Sequence, residues 1–252
     1  MRARLINPDA SAKMIAMRRR ASWPKVRAAL TPEQEQIMAD WQDNYLSSVL
    51  PQNFGWVDRF GHEFAAQSAK PRSATLEIGA GNGSHLSFES GMNREYVALE
   101  LSDRLAGQIL DRNAVAKVVL GNCQERIPFP DQYFDRVLAI HVLEHLENLP
   151  AALDEIVRVM KPMAIFSAVI PCERGAGYAL GRAFTTKRVF EKRYKTDYKW
   201  MIRYDHVNTA REVLSELTTR FRVERRRFFP LRVHSIDLNL VIGLEVTLDQ
   251  SR

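Results

Sequence analysis

The sequence predicts a doubly wound α/β fold built on a mostly parallel, seven-stranded sheet. Three observations predict it. From Ala74 onward, short apolar runs with strand character alternate with helical stretches, the pattern of parallel βαβ units with helices on both faces. The first run, Ala74–Ile78, opens into the glycine-rich turn Gly79-Ala80-Gly81-Asn82-Gly83. The last two runs, about Phe221–Glu224 and Leu238–Val246, have no helix between them, so they pair antiparallel and close the sheet edge.

Residues 1–30 carry eight Lys/Arg and one acid and are expected to form a basic, mostly mobile arm. They lack the apolar core of a secretory signal. Arg18-Arg19-Arg20 leads into no hydrophobic stretch, so a twin-arginine signal is not expected either. Thr31-Pro32-Glu33 starts a helix: Thr caps it, Pro suits its first position, and the acid faces its positive end. Helical pattern continues in two pieces to about Ala69, giving a cap over residues 31–70, and Lys70-Pro71-Arg72-Ser73 breaks it. Residues 71–252 are then the main domain. Its strands are Ala74–Ile78, Tyr96–Glu100, Lys117–Leu120, Phe134–Ile140 and Ala164–Ile170, followed by the closing pair; Leu149–Met160 is one of the helices between them. The alternation pauses over about 173–208, which reads as an inserted lid.

The chain has 252 residues, 46% hydrophobic and 26% charged, enough for a core that needs no disulfide or metal staple. No apolar run approaches the ~18 residues of a membrane span. Two distant cysteines, Cys123 and Cys172, make neither a disulfide framework nor a Cys-rich zinc module and fit a reduced, cytoplasmic setting. The net charge of +6 is uneven: residues 1–30 hold +7, residues 31–181 hold −8 and residues 182–227 hold +8. Two basic regions suit an anionic partner, either an acceptor or a membrane surface met peripherally.

The glycine turn follows a strand and is expected to open a helix, where glycines bring backbone amides close to a ligand. Its spacing is G-x-G-x-G, and Ser84 stands where a dinucleotide fingerprint has its last glycine. Glu100 ends the second strand, 21 residues after Gly79; an acid there accepts hydrogen bonds from ribose hydroxyls. Gly121-Asn122-Cys123 follows the third strand. Three successive strands therefore end in groups that grip a nucleoside, at the carboxyl edge where such folds bind ligands.

These residues, with Pro128–Asp135, Val142-Leu143-Glu144-His145 and Met160-Lys161-Pro162, resemble class I S-adenosylmethionine-dependent methyltransferases. The similarity is greatest to the small-molecule subgroup that methylates quinones, sterols and sugars (UbiE-like), over about residues 74–171. It implies a Rossmann-like fold and S-adenosyl-L-methionine as cofactor. It also implies roles: the turn at Gly79, Ala80, Gly81 and Gly83 around the methionine part, Glu77 near its ammonium, Glu100 on the ribose with Leu101 beside it. Asn122 and the Cys123 backbone meet the adenine edge, and His141 flanks the sulfonium. Asn122 stands where the family often has Asp. Met163 and Ala164 replace two glycines the family often places before the fifth strand.

His141-Val142-Leu143-Glu144-His145 also matches the inverted zinc-protease signature H-x-x-E-H. No third ligand is evident nearby, so no metal is expected. In the lid, residues 178–204 hold seven aromatics, eight Lys/Arg and two acids. Phe190, Tyr194, Tyr198 and Ile202 recur every four residues, one stripe of a helix that reads first as packing. A basic, aromatic lid suits an anionic acceptor; Arg193, Tyr194, Tyr204, His206 and Asn208 are the acceptor-binding candidates. Thr209 and Glu212 form a capping box, so His206 and Asn208 lie in the loop entering a helix. His206 resembles an acceptor-side residue of relatives with small acceptors, and is the candidate catalytic base.

The sequence thus points to methyl transfer onto a small-molecule, glycan or lipid-linked acceptor, with a nucleic-acid methyltransferase or a non-catalytic cofactor-binding partner as alternatives. No nucleic-acid-binding module is readable.

Overall fold

The structure, a computed structural model, describes residues 22–89, 94–112 and 116–249. The first 21 residues of the expected arm lie outside them. The capping helix α1 (Pro32–Asn44) passes through a π-helical turn (Tyr45–Val49) into α2 (Leu50–Ala66). The sheet then builds from β1 (Ala74–Ile78), β2 (Glu95–Glu100), α3 (Asp103–Arg112), β3 (Lys117–Leu120), β4 (Phe134–Ile140), α4 (Leu149–Val159) and β5 (Met160–Pro171). Three lid helices follow: α5 (Ala176–Phe184), α6 (Thr186–Tyr194) and α7 (Tyr198–Asp205). The fold ends with α8 (Ala210–Leu217), β6 (Phe221–Phe229) and β7 (Val241–Leu248).

The seven strands lie in the order β3-β2-β1-β4-β5-β7-β6. The first five in sequence are parallel, and β7 runs antiparallel to both β5 and β6. Strand order reverses between β1 and β4, the switch point of a doubly wound sheet. Every residue of β1 is buried, as in a parallel strand covered on both faces. On one face α4 buries Ala152, Leu153, Ile156 and Val159 in the main core with Leu76, Val137 and Phe166. On the other, α2 lays Val57, Phe64 and Ala65 against Leu138, Val169 and Val241.

Several sequence expectations need correction. The glycine turn leads into a single 3-10 turn, Ser84–Phe88, rather than a full helix. The strand β6 extends to Phe229 and β7 begins only at Val241. Between them, residues 230–240 form a loop closed by Asn239. Its side chain accepts from the Leu231 N–H and donates to the Val233 and Ser235 carbonyls. The lid stripe is not one helix: Lys195, at φ +56°, ends α6. Phe190, Tyr198 and Met201 pack on Met38, Trp41 and Val49 of the cap, so the stripe is packing, as its first reading held. Residues 22–30 are docked, not free. The Lys25 N–H donates to Glu147 O at 2.8 Å, its ammonium reaches Val207 O and Glu212, and Arg27 donates to His145 O at 2.6 Å.

One buried side chain ties the layers together. Arg136 on β4 is 1% exposed. Its guanidinium donates to Glu89 at 2.8 and 2.9 Å, to Ser68 Oγ at 2.8 Å and to Ala65 O at 2.6 Å. Arg136→Ala strips Glu89 of its buried counter-charge and leaves the end of α2 without its donor. A loss of about 3–5 kcal/mol is expected, read as a fall in the urea midpoint; an unchanged midpoint would show that the network is incidental.

Candidate functional site

The crevice lies at the carboxyl ends of β1 and β4. Gly79 and Gly81 both take left-handed backbone, φ +61° and +58°. The N–H groups of Gly79 and Ala80 both donate to Leu99 O, at 2.8 and 3.3 Å, fastening the turn to β2. A Cβ at Gly79 would stand 2.7 Å from Val142 Cγ2, so only glycine lets the turns after β1 and β4 meet. A Cβ at Gly81 would meet nothing within 4 Å: the backbone there borders open space. The Gly81 N–H donates to Glu100 Oε2 at 2.8 Å, and Ser102 N–H donates to Oε1 at 2.9 Å. Each carboxylate oxygen keeps one lone pair for a further donor.

Other residues named from the sequence fall around this crevice. Leu101 is 70% exposed. Asn122 Oδ1 accepts from the Gln124 backbone and side chain. The Cys123 side chain is in the main core, and burial pushes its thiol up to about 12, so only its backbone is available. His141, at φ +55°, closes β4, donating its N–H to Val169 O, with Nδ1 3.6 Å from Glu144. Glu77 is placed differently from the expectation. It is 3% exposed and accepts from the Tyr96 hydroxyl at 2.7 Å, and burial raises its pKa. Its carboxylate supports β2 rather than opening onto the crevice. A cleft of about 460 Å³ lined by Asp58, His62, Gly83, Ser84 and Leu86 continues from the turn beneath α2.

A second group gathers past the ends of β4 and β5. His206 Nδ1 lies 2.7 Å from Glu173 Oε1, and Arg182 of α5 donates to the same carboxylate at 3.0 Å. The rings of His206 and His145 meet edge to face at 4.8 Å. His145 Nδ1 donates to Asp205 O at 3.0 Å and lies 3.2 Å from Asp205 Oδ1. Burial opposes charge on His145, yet the Asp205 carboxylate lifts its pKa to about 10. Burial likewise opposes charge on Asp205, and His145 outweighs it, holding the carboxyl far below its usual range. Glu144 is 2% exposed, and its Oε2 has no hydrogen-bond partner among the described residues.

The acceptor candidates separate. His206 joins this cluster. Asn208 is buried and staples its floor, donating to the Leu143 and Leu146 carbonyls. The Tyr204 ring sits under Arg27 at 5.1 Å. Arg193 and Tyr194 are elsewhere: both bond to Asp40 of α1, and Arg188, Lys192, Lys195 and Lys199 are exposed. Sequence reading missed Glu173 and Asp205. Glu173 follows β5 by two residues, and the carboxyl-edge rule that found Glu100 could have found it.

His145, Asp205 and His206 bring ligand-type atoms within 4.8 Å of one another, a third partner that H-x-x-E-H spacing alone could not reveal. Two contacts account for the arrangement, His145 with Asp205 and His206 with Glu173. The His145 imidazole, held protonated by Asp205, has no free pair for a metal.

Comparison with known proteins follows from this geometry. Residues 76–168 match the family model described as a methyltransferase domain. A ubiquinone/menaquinone biosynthesis C-methyltransferase of Cupriavidus metallidurans is 30% identical over 105 residues, covering 39% of this chain and 43% of that protein. A fatty-acid O-methyltransferase of Mycolicibacterium smegmatis is 30% identical over 109 residues, covering 42% and 39%. The chain thus spans less than half the length of both relatives. Among solved structures, the N-methyltransferase NodS of Bradyrhizobium japonicum, in complex with S-adenosyl-L-homocysteine, has the same fold. Its TM-score is 0.59 at 16% identity, over 85% of this chain and 99% of that one.

The His145–Asp205 pair makes stability depend on pH. His145 is raised from 6.5 to about 10, so its contribution is full below its unfolded value and lost as pH rises through about 10. Asp205 is lowered from 3.8, so its contribution is present above that value and lost as pH falls. About a third of the His145 side chain is exposed, so screening limits the alkaline loss to about 1–2 kcal/mol. Urea midpoints should fall between pH 7 and 10 in the native chain, and His145→Gln should abolish that limb. An identical slope in both proteins would sink the assignment.

Proposed function

We propose that this chain, a class I S-adenosylmethionine-dependent methyltransferase by its matched domain, its sheet and its glycine turn, methylates a small-molecule acceptor, free or carried on a glycan or lipid. The observation that carries the reading is the open cradle at Gly81 beside the Glu100 carboxylate. The cofactor fits there: the Cβ-sized space at Gly81 is clear, and Glu100 retains acceptor capacity for two ribose hydroxyls. The turn would hold the methionine part, and Leu101, Asn122 and the Cys123 backbone the adenine edge. Bound S-adenosylmethionine supplies a methyl group on a positive sulfur, already a good leaving group.

What remains for the protein is alignment and exclusion of water, worth ~7–11 kcal/mol when geometry is well held. The cap and lid helices pack as one layer, and α2 overlies the sheet beside the crevice. His206 is the proposed base. Its Nδ1–H is committed to Glu173, which leaves Nε2 as the face that takes an acceptor proton, with the carboxylate in the orienting role. The orphan Oε2 of Glu144 offers a second contact for a donor on the acceptor.

Apart from Arg182, which pairs with Glu173, and Lys187, beside Glu191, the lid cations are exposed or spent on Asp40, whereas the group around His206 is rich in carboxylates. An anionic acceptor therefore carries its charge away from the reacting atom. A methyltransferase named for quinone biosynthesis and one named for fatty acids both support an apolar acceptor.

Calorimetry should show S-adenosylhomocysteine binding with no comparable NAD binding. Glu100→Ala removes charge-assisted hydrogen bonds worth ~1.5–3 kcal/mol, at least about a tenfold loss of affinity, and Gly81→Val should abolish binding. Tight NAD binding without response to S-adenosylhomocysteine would refute the reading.

Labelled S-adenosylmethionine with fractionated cell extract, read by mass spectrometry, identifies the acceptor. With that acceptor, His206→Ala should cut turnover at least ~10²-fold at nearly unchanged cofactor affinity. Near-normal turnover would mean that alignment alone suffices, and loss of cofactor binding would make His206 structural.

A further inference from the structure

Among the described residues, six of the twelve exposed large hydrophobic side chains lie in the loop after β6 or on the elements beside it, outside the crevice. In the loop after β6, Leu231, Val233 and Leu238 are 59%, 50% and 51% exposed. The loop is anchored to α5, whose Gly177 N–H donates to Asp237 O at 2.8 Å. On α5, Leu180 and Phe184 are 61% and 59% exposed. The loop's other flank adjoins a groove of about 210 Å³ lined by Phe60, Arg227, Phe229 and Arg232, with Trp56, 49% exposed, stacked near Phe229. Asn239 holds the loop closed from within, so its aliphatic side chains are displayed by design of the backbone.

Cations interleave with these side chains. Arg227 and Arg232 are exposed and line the groove, and neither has a carboxylate partner within 4 Å among the described residues. Isolated aliphatic tips, a rim tryptophan and unpaired arginines are the composition that enters the boundary of an anionic bilayer, the apolar groups inserting and the guanidinium groups meeting phosphates. A second copy of the chain fits less well. The sheet edge on this side is β6, and pairing two such edges would bring the arginine-rich run of each strand against the other. Position adds a third argument. Arg182, on the same helix as Leu180 and Phe184, reaches back to Glu173, the carboxylate that orients His206.

We propose that the face formed by α5, the 230–240 loop and the rim of α2 docks on an anionic lipid bilayer and presents the acceptor-side cluster to a lipid-linked acceptor. The second half of this statement rests on the methyltransferase reading; docking does not.

The test is flotation with vesicles of phosphatidylcholine alone and of equimolar phosphatidylcholine and phosphatidylglycerol, using the full chain. The native protein should bind the anionic vesicles, and salt should weaken binding. The double variant Leu231→Asp, Leu238→Asp and the paired charge reversal Arg227→Glu, Arg232→Glu should each bind at least about tenfold more weakly, with unchanged circular dichroism and S-adenosylhomocysteine affinity. Equal binding to both vesicles, no binding, or variants that bind like the native chain would overturn the proposal. So would loss of binding on deletion of residues 1–21 alone, which would move the contact to the arm. A native dimer that the double variant dissolves would make this face a self-interface instead. If vesicle binding fails while S-adenosylhomocysteine binds, only this inference falls; the reverse result removes the cofactor reading and leaves the docking face standing.

Discussion

Glu100 accepts the Gly81 N–H across the ends of β1 and β2 at 2.8 Å, and the geometry of the crevice follows from that hydrogen bond. The turn after β1 has three left-handed glycines and would have many conformations in isolation. The carboxylate selects one. It draws Gly81 toward β2 while Leu99 O takes the amides of Gly79 and Ala80. The parallel register that sets Ile78 beside Leu99 places all three contacts within one residue of the strand ends. Across the switch point, Val142 occupies the space a Gly79 side chain would need. The turn is thereby gripped on two sides and left open at Gly81, so a ligand meets a backbone and a carboxylate already in place and need not order the loop on binding.

The acceptor side is built by a different principle. Its floor is a short 3-10 turn, Leu143–His145, too brief to hold itself. Remote groups hold it: Asn208 donates to Leu143 O and Leu146 O, Asn208 N–H to Glu144 O, and Arg27 to His145 O. Above that floor, Glu144, Glu173 and Asp205 face His145 and His206. Pairing of this kind is weak evidence for stability, because desolvation consumes much of the Coulomb gain. What it does supply is a fixed orientation for two imidazoles, which a reaction that depends on in-line alignment needs.

How much of this was legible in the sequence follows from how local each signal is. The strand-turn motif from Ala74 to Gly83, Glu100 and Asn122 are each read within one βα unit, and the structure sets them at one sheet edge. The cap at Thr31 and the capping box at Thr209 are contained in four residues each and were legible for the same reason, although the Gln34 half of a box at Thr31 was not read. The pairing of His206 with Glu173 spans 33 positions, and that of Lys25 with Val207 spans 182; no periodicity announces either. The β6 extension was hidden by its arginines. A bulge between Val223 and Arg225 breaks the alternation, so Arg225-Arg226-Arg227 reads as a charge run rather than as strand. Glu77 shows the opposite failure, a residue whose position in the motif was right and whose side chain turns to Tyr96.

The lid and cap carry the remaining consequence of the fold. Their shared cluster, Met38, Trp41, Val49, Phe190, Tyr198 and Met201, is separate from the two cores that hold α2 and α4 to the sheet. Trp41 and Phe190 meet edge to face at 5.1 Å, and Arg193 and Tyr194 fasten to Asp40 at the exposed rim. The rim contacts are in water and contribute little individually, whereas the aromatic contacts are buried and contribute more. On the sheet side, polar contacts take over: Arg182 and His206 both reach Glu173, and Asp205 reaches His145. Glu173 thus takes Arg182 of α5 and His206 beyond α7 on one buried carboxylate, so the first and last lid helices are held to the end of β5 through a single group.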